Sequence, residues 1–157
     1  MPVVRKADLT PVTGTSYPAP YDAGMGRYQA WELSEAGGLT QFGAALETLA
    51  PGARSSQRHW HENEDEFLYM LEGELTLIED DGDHTLRPGD ACTWAAGAEN
   101  GHCLENRTDT PATFLIVGTK ASEDVVHYPD IDLVYSRRDG KSVFTSRDGT
   151  KLKGKSS

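Results

Sequence analysis

Residues 57–73 read QRHWHENEDEFLYMLEG, and this stretch decides the fold. Its second half alternates: Glu66, Leu68 and Met70 share one face, Phe67, Tyr69 and Leu71 the other, the two-residue period of a β-strand. Its first half places His59 and His61 two residues apart, so on an extended chain both imidazoles project from the same side. The acidic connection Glu62-Asn63-Glu64-Asp65 then leads to Glu66. If the two segments are adjacent antiparallel strands, Glu66 joins both histidines in one cavity. Glu72-Gly73 is read as a tight turn between EFLYMLE and ELTLIED.

On either side the pattern continues as short β-like runs. QAWEL (29–33), LTQFGAALETL (39–49) and RSSQRHWH (54–61) precede the stretch, and DACTW (90–94), HCLEN (102–106) and ATFLIVGT (112–119) follow it. Turn signals separate them, including Gly37-Gly38, Asp80-Asp81-Gly82-Asp83 and Arg87-Pro88-Gly89-Asp90. Helical periodicity is nearly absent, so the class is all-β. Residues 1–28, rich in Pro, Gly and Tyr, read as an extended N-terminal arm, and residues 29–120 as the β domain. Residues 121–157 read as a C-terminal arm or flap, with turns at Asp139-Gly140 and Asp148-Gly149 and an unstructured tail, KLKGKSS.

The chain of 157 residues carries a formal net charge of -10, which disfavours nucleic acid and anionic membranes as partners. No apolar run approaches the roughly 20 residues that span a bilayer, and the N-terminus lacks an apolar signal region, so the expected location is the cytoplasm. Cys92 and Cys103 are too few for a disulfide scaffold and read as small core residues or bystanders near the site.

A fourth donor, His102, opens a later strand. Three neutral imidazoles and a carboxylate suit one divalent ion, with Fe, Mn, Ni, Co and Zn all open. The spacing Gly52-x6-His59-x-His61-x4-Glu66-x6-Gly73 closely resembles the first motif of the cupin superfamily, and Gly89-x7-Gly97-x4-His102-x3-Asn106 resembles the second. Two departures stand out: Ala95 occupies the usual proline position, and the gap before His102 is about two residues longer. The resemblance implies a double-stranded β-helix, a jelly-roll barrel, with His59, His61, Glu66 and His102 as metal ligands. The chain is also similar to small single-domain cupins, some labelled sugar-phosphate-isomerase-like.

Strand parity adds a substrate pocket of Gln57, Leu68, Met70 and Leu104. Glu99, in the lengthened loop, is the candidate acid/base, and Glu64 a substitute ligand if the turn is tight. Arg58, Trp60, Phe67, Tyr69 and Leu71 face outward, which points to a homodimer. The expected activity is that of a metal-dependent enzyme on a small organic molecule. The apolar pocket wall and the scarcity of inward cations, Lys120 being one candidate, place a dioxygenase-type oxidoreductase ahead of a sugar-phosphate-type isomerase. A non-catalytic small-molecule binder is the remaining alternative.

Overall fold

A computed structural model of the chain describes residues 3–153. After a 3-10 turn at Lys6–Asp8 come β1 (Val12–Thr13), β2 (Tyr28–Glu32), a single helical turn α1 (Leu33–Ala36), β3 (Phe42–Leu49), β4 (Trp60–His61), β5 (Glu66–Glu72) and β6 (Leu75–Glu79). They are followed by β7 (Gly82–Leu86), β8 (Ala91–Trp94), β9 (Cys103–Glu105), β10 (Ala112–Thr119), β11 (Asp124–His127), β12 (Val134–Arg138), β13 (Lys141–Thr145) and β14 (Lys151–Leu152). The all-β class holds. Of the tail KLKGKSS, Lys151–Leu152 pairs as a strand and residues 154–157 lie outside the described residues.

The strands do not close into the expected jelly-roll barrel. They form three separate sheets: six strands in the order β1-β2-β3-β10-β5-β8, five in the order β14-β13-β12-β11-β4, and three in the order β7-β6-β9. The reason lies at the seam, where β4 has two residues and β9 three. Isolated bridges, His59 with His102 and Arg54 with Glu105, stand there in place of a continuous ladder. The turn at Gly73 carries the chain from one sheet to another, since β5 pairs with β10 and β8 while β6 pairs with β7 and β9. Gly73 has φ of 77°, and a Cβ there would lie 2.7 Å from the Pro111 carbonyl oxygen, so a side chain has neither the conformation nor the room. Likewise β4 and β5 are not neighbours; β4 pairs with β11.

Register in the six-stranded sheet sorts its residues into an inner and an outer face. Inner rows include Ala30-Glu47-Phe114-Met70, Glu32-Ala45-Ile116-Leu68-Cys92 and Gly43-Gly118-Glu66-Trp94. The inner face builds the main core around Leu49, Leu68, Met70, Leu75 and Phe114, all essentially inaccessible. A second cluster of Val126, Tyr128 and Leu133 packs with Tyr17 and Tyr21, pinning the N-terminal segment to the five-stranded sheet. Among the described residues no helix is long and apolar enough to cross a membrane. Cys92 and Cys103 are free thiols.

Candidate metal centre

Side chains from all three sheets converge at the seam. His59 and His102 are joined by reciprocal backbone hydrogen bonds of 3.1 and 3.0 Å; His61 lies in β4, and Glu66 opens β5 on the facing sheet. Each imidazole has its Nδ1 engaged: His59 with the Gln57 carbonyl at 2.9 Å, His102 with the Asn100 carbonyl at 3.0 Å, and His61 with Asp124 Oδ2 at 2.6 Å. A carbonyl can only accept, so Nδ1 of His59 and His102 carries the proton and Nε2 is the donor atom left for a metal.

These Nε2 atoms gather on Glu66. His102 is 2.6 Å from Oε2, His61 3.6 Å from Oε1 and His59 4.0 Å from Oε2. His59, His61 and Glu66 place one donor atom each within 4.8 Å of one another, a grouping that could hold one metal ion; His102, the fourth expected ligand, falls outside it and reaches the site through its hydrogen bond with Glu66. The 2.6 Å approach of His102 to Glu66 requires a shared proton, which a cation would replace. Burial lowers the His59 pKa to about 4 against the pull of Glu66, keeping the ring neutral. Burial alone would raise the Glu66 carboxyl, but the hydrogen bond with His102 and the nearby imidazoles hold it at about 2.

Supporting contacts orient the donors. Asp124, 1% exposed, takes the His61 Nδ1 hydrogen and also accepts from the Asn63 backbone N–H at 3.0 Å. Such carboxylate–histidine pairs fix tautomer and ring direction. Trp94 stacks on His102 with centroids 3.9 Å apart. The lengthened loop before His102 is anchored by Gly97 N–H to the His61 carbonyl, Ala96 N–H to Asp65, and Arg58 to the Gly101 carbonyl.

A cavity of about 130 Å³ adjoins the cluster, and His59, Glu66 and His102 lie in its wall. Leu68 and Leu104 line it as expected. Met70 instead lies in the core, and the Gln57 amide turns toward the N-terminal segment to donate to the Tyr21 carbonyl at 2.8 Å. Residues 54–59 bend rather than run as a strand, so alternation from His59 does not carry to Gln57. Glu99 is exposed on its loop and is not among the cavity-lining residues. Glu64 stands on the Nδ1 side of His61 at 3.7 Å, held by Arg137 and the Ala121 N–H, away from the face that meets Glu66. Lys120 is exposed.

Sequence reading missed two residues. Asp124 lies 63 residues beyond His61, outside either motif. Glu47 lines the cavity, its Oε1 accepting from the Tyr28 hydroxyl at 2.9 Å. Its signal was available: an acid at the inward parity of β3, between Ala45 and Leu49. Burial pushes its carboxyl up to about 7, opposed by the Tyr28 hydrogen bond and reinforced by Glu32 and Glu66.

A family model described as a cupin domain matches residues 45–118. No match was found among curated proteins. Among solved structures, a protein of Silicibacter pomeroyi named a sugar phosphate isomerase from a cupin superfamily is 41% identical over 97% of both chains, with a TM-score of 0.92. A protein of Acidithiobacillus ferrooxidans, provisionally given the same isomerase name, is 26% identical over 81% of both chains, with a TM-score of 0.74. One of Thermotoga maritima, provisionally named an oxalate decarboxylase, is 29% identical over 76% of this chain and 99% of its own, with a TM-score of 0.62. With both histidine-bearing motifs, the matching domain and a relative this similar over nearly its full length, the chain belongs to the cupin superfamily.

Proposed function

We propose that this chain is a metal-dependent isomerase of small phosphorylated hydroxycarbonyl compounds, with His59, His61, Glu66 and His102 as ligands of one divalent ion. The observation that carries the reading is the convergence of three imidazole Nε2 atoms on Glu66, with every Nδ1 already engaged. When bound, the ion supplies Lewis acidity toward a carbonyl or enediolate oxygen. Asp124 and Trp94 hold His61 and His102 in place, and Leu68, Leu104 and Phe114 keep water from the reacting carbons.

The isomerase reading is preferred to the dioxygenase-type one for two reasons. The Silicibacter pomeroyi and Acidithiobacillus ferrooxidans relatives, 41% and 26% identical over 97% and 81% of this chain, both carry an isomerase name. The cavity wall is also less apolar than expected, since Glu47, Ser55 and Ser56 interrupt it. The cation that seemed scarce is supplied by Arg54, whose Nη2 donates to the sulfur of the cavity-lining Cys103 at 3.4 Å. Its Nε is buried without a hydrogen-bond partner among the described residues. That positive charge beside Cys103, on a residue that also lines the outer groove, favours an anionic substrate. Two copies of the chain are proposed to associate as a homodimer.

The test is elemental analysis of protein purified without chelator and anaerobically, beside His61→Ala, followed by NMR of the loaded protein with aldose and ketose phosphates in D₂O. About one equivalent of metal in the parent, little in the variant, and deuterium entering the carbon next to the carbonyl are expected. A parent that takes up no metal on reconstitution, or a loaded parent inert toward three-, five- and six-carbon sugar phosphates, overturns the reading.

A further inference from the structure

Glu47 is an acid where the sheet favours an apolar residue. Its neighbours in register are Ala30 and Phe114, each 1% exposed, with Met70 beyond them. A carboxyl in such a row is costly unless it is neutral or put to use. One oxygen is satisfied by the Tyr28 hydroxyl at 2.9 Å. The other has no hydrogen-bond partner among the described residues and is not enclosed, so it opens on the cavity that His59, Glu66 and His102 line. Tyr28 lies on the same inner face, in the row Tyr28-Leu49-Ala112, at the start of β2. It borders two outer grooves, of about 420 and 800 Å³, between the N-terminal segment and the six-stranded sheet. Tyr28 thus leads from Glu47, on the metal-side cavity, to these grooves past the end of β2.

We infer that Glu47 is the catalytic acid/base of the isomerisation and that Tyr28 is its positioning partner, passing the exchanged proton to the outer groove. This rests on the isomerase reading above. Glu47 removes a proton from the carbon beside the carbonyl; the C–H electron pair becomes the C=C bond and the carbonyl pair moves onto its oxygen, which takes the proton of the adjacent hydroxyl; that second oxygen then re-forms a carbonyl as the former carbonyl carbon recovers the proton held by Glu47. No oxidant or reductant is needed. The carboxyl's pKa of about 7 suits both directions of transfer. The ionisable groups facing it are Tyr28 and Glu32 from β2 and Glu66 from β5, while β10 presents Phe114, Ala112 and Ile116.

The experiment uses the metal-loaded full chain with glyceraldehyde 3-phosphate, ribose 5-phosphate and glucose 6-phosphate deuterated at C2, following isomerisation and the deuterium carried to C1 of the product. Glu47→Gln is expected to keep its metal, to melt no lower than the parent and to lose at least about 100-fold in rate, with partial recovery in Glu47→Asp. Tyr28→Phe is expected to lower the rate about fivefold, the loss of one hydrogen bond to Glu47, and to raise the fraction of deuterium carried over, because the proton on Glu47 no longer escapes. A merely structural hydroxyl would leave that fraction unchanged, and such a result overturns the relay. A loaded Glu47→Gln protein within threefold of the parent overturns Glu47 as the base and leaves the isomerase reading standing. A loaded parent that isomerises none of the three overturns both.

Discussion

At the scale of single residues, the site depends on two carboxylates that lie outside the motifs. Asp124 is buried with both oxygens engaged, one by His61 and one by the Asn63 N–H. Asp124→Asn keeps the shape but removes the charge that makes His61 a strong donor. Metal affinity, measured by competition with a chromophoric chelator, is expected to fall roughly 10- to 100-fold; a change under twofold would make Asp124 a structural residue only. Glu47 gives a pH-dependent prediction. Its pKa is raised to about 7, so between the ordinary carboxyl range and pH 7 the folded chain keeps a proton that the unfolded chain releases. Stability therefore falls as pH rises through that window and levels off above it. Glu47→Gln cannot ionise, so it should match the parent near pH 4.5 and exceed it by about 3 kcal/mol at pH 8. Equal melting curves at pH 8 would show that Glu47 ionises at no cost. The grouping of His59, His61 and Glu66 was legible because their spacing is local, and the expected fourth ligand, His102, through its likeness to the second motif. Asp124 was not, because only folding brings Val126 into register with His61.

At the scale of elements, strand identity was readable and strand partnership was not. The alternation of 66–72 announced β5, yet nothing in it distinguishes a hairpin from a crossing between sheets, and Gly73 serves the crossing. The region after residue 120 read as a loose arm because its runs are short and turn-rich. Folded, β11 to β13 form a ladder that ends on β4, with Val126 opposite His61 and His127 opposite Trp60. The Trp60 and His127 rings stack 4.4 Å apart, and His127 is 2.7 Å from Glu62, so the ladder is locked by side chains as well. β4, two residues long, has no such support of its own. Ending the chain after Lys120 removes the ladder and Asp124 together. The shortened protein is expected to bind less than about a tenth of an equivalent of metal and to lose its near-ultraviolet circular dichroism around the site tryptophans. One full equivalent at parental affinity would mean that β4 holds His61 without the C-terminal sheet.

At the scale of the whole molecule, the distribution of charge singles out one surface. The chain has a net charge of -10, yet two adjoining outer rows of the six-stranded sheet, Trp31-Leu46-Leu115-Tyr69-Ala91 and Ala44-Val117-Phe67-Thr93, contain no carboxylate; the charges beside them are Glu72 in the next row and Lys6, which lies over Trp31. Phe67, Tyr69 and Leu71 stand 38%, 39% and 41% exposed on it. Two copies of an acidic protein repel each other wherever their carboxylates meet, so self-association is cheapest where none is present. A flat apolar sheet face of this kind, several strands wide, is suited to the roughly 800 Å² per partner of a stable interface. A second copy meeting it face to face would bury all three exposed residues while leaving the metal-side cavity, on the inner face, free. The chain is therefore expected to sediment at about twice 17.1 kDa at micromolar concentration. Tyr69→Arg, which sets like charges opposite one another across such an interface, should convert it to the single-chain mass with metal content unchanged. A parent that already sediments as one chain at 10 μM or above would overturn the dimer, and a Tyr69→Arg variant that remains dimeric would move the interface to another face.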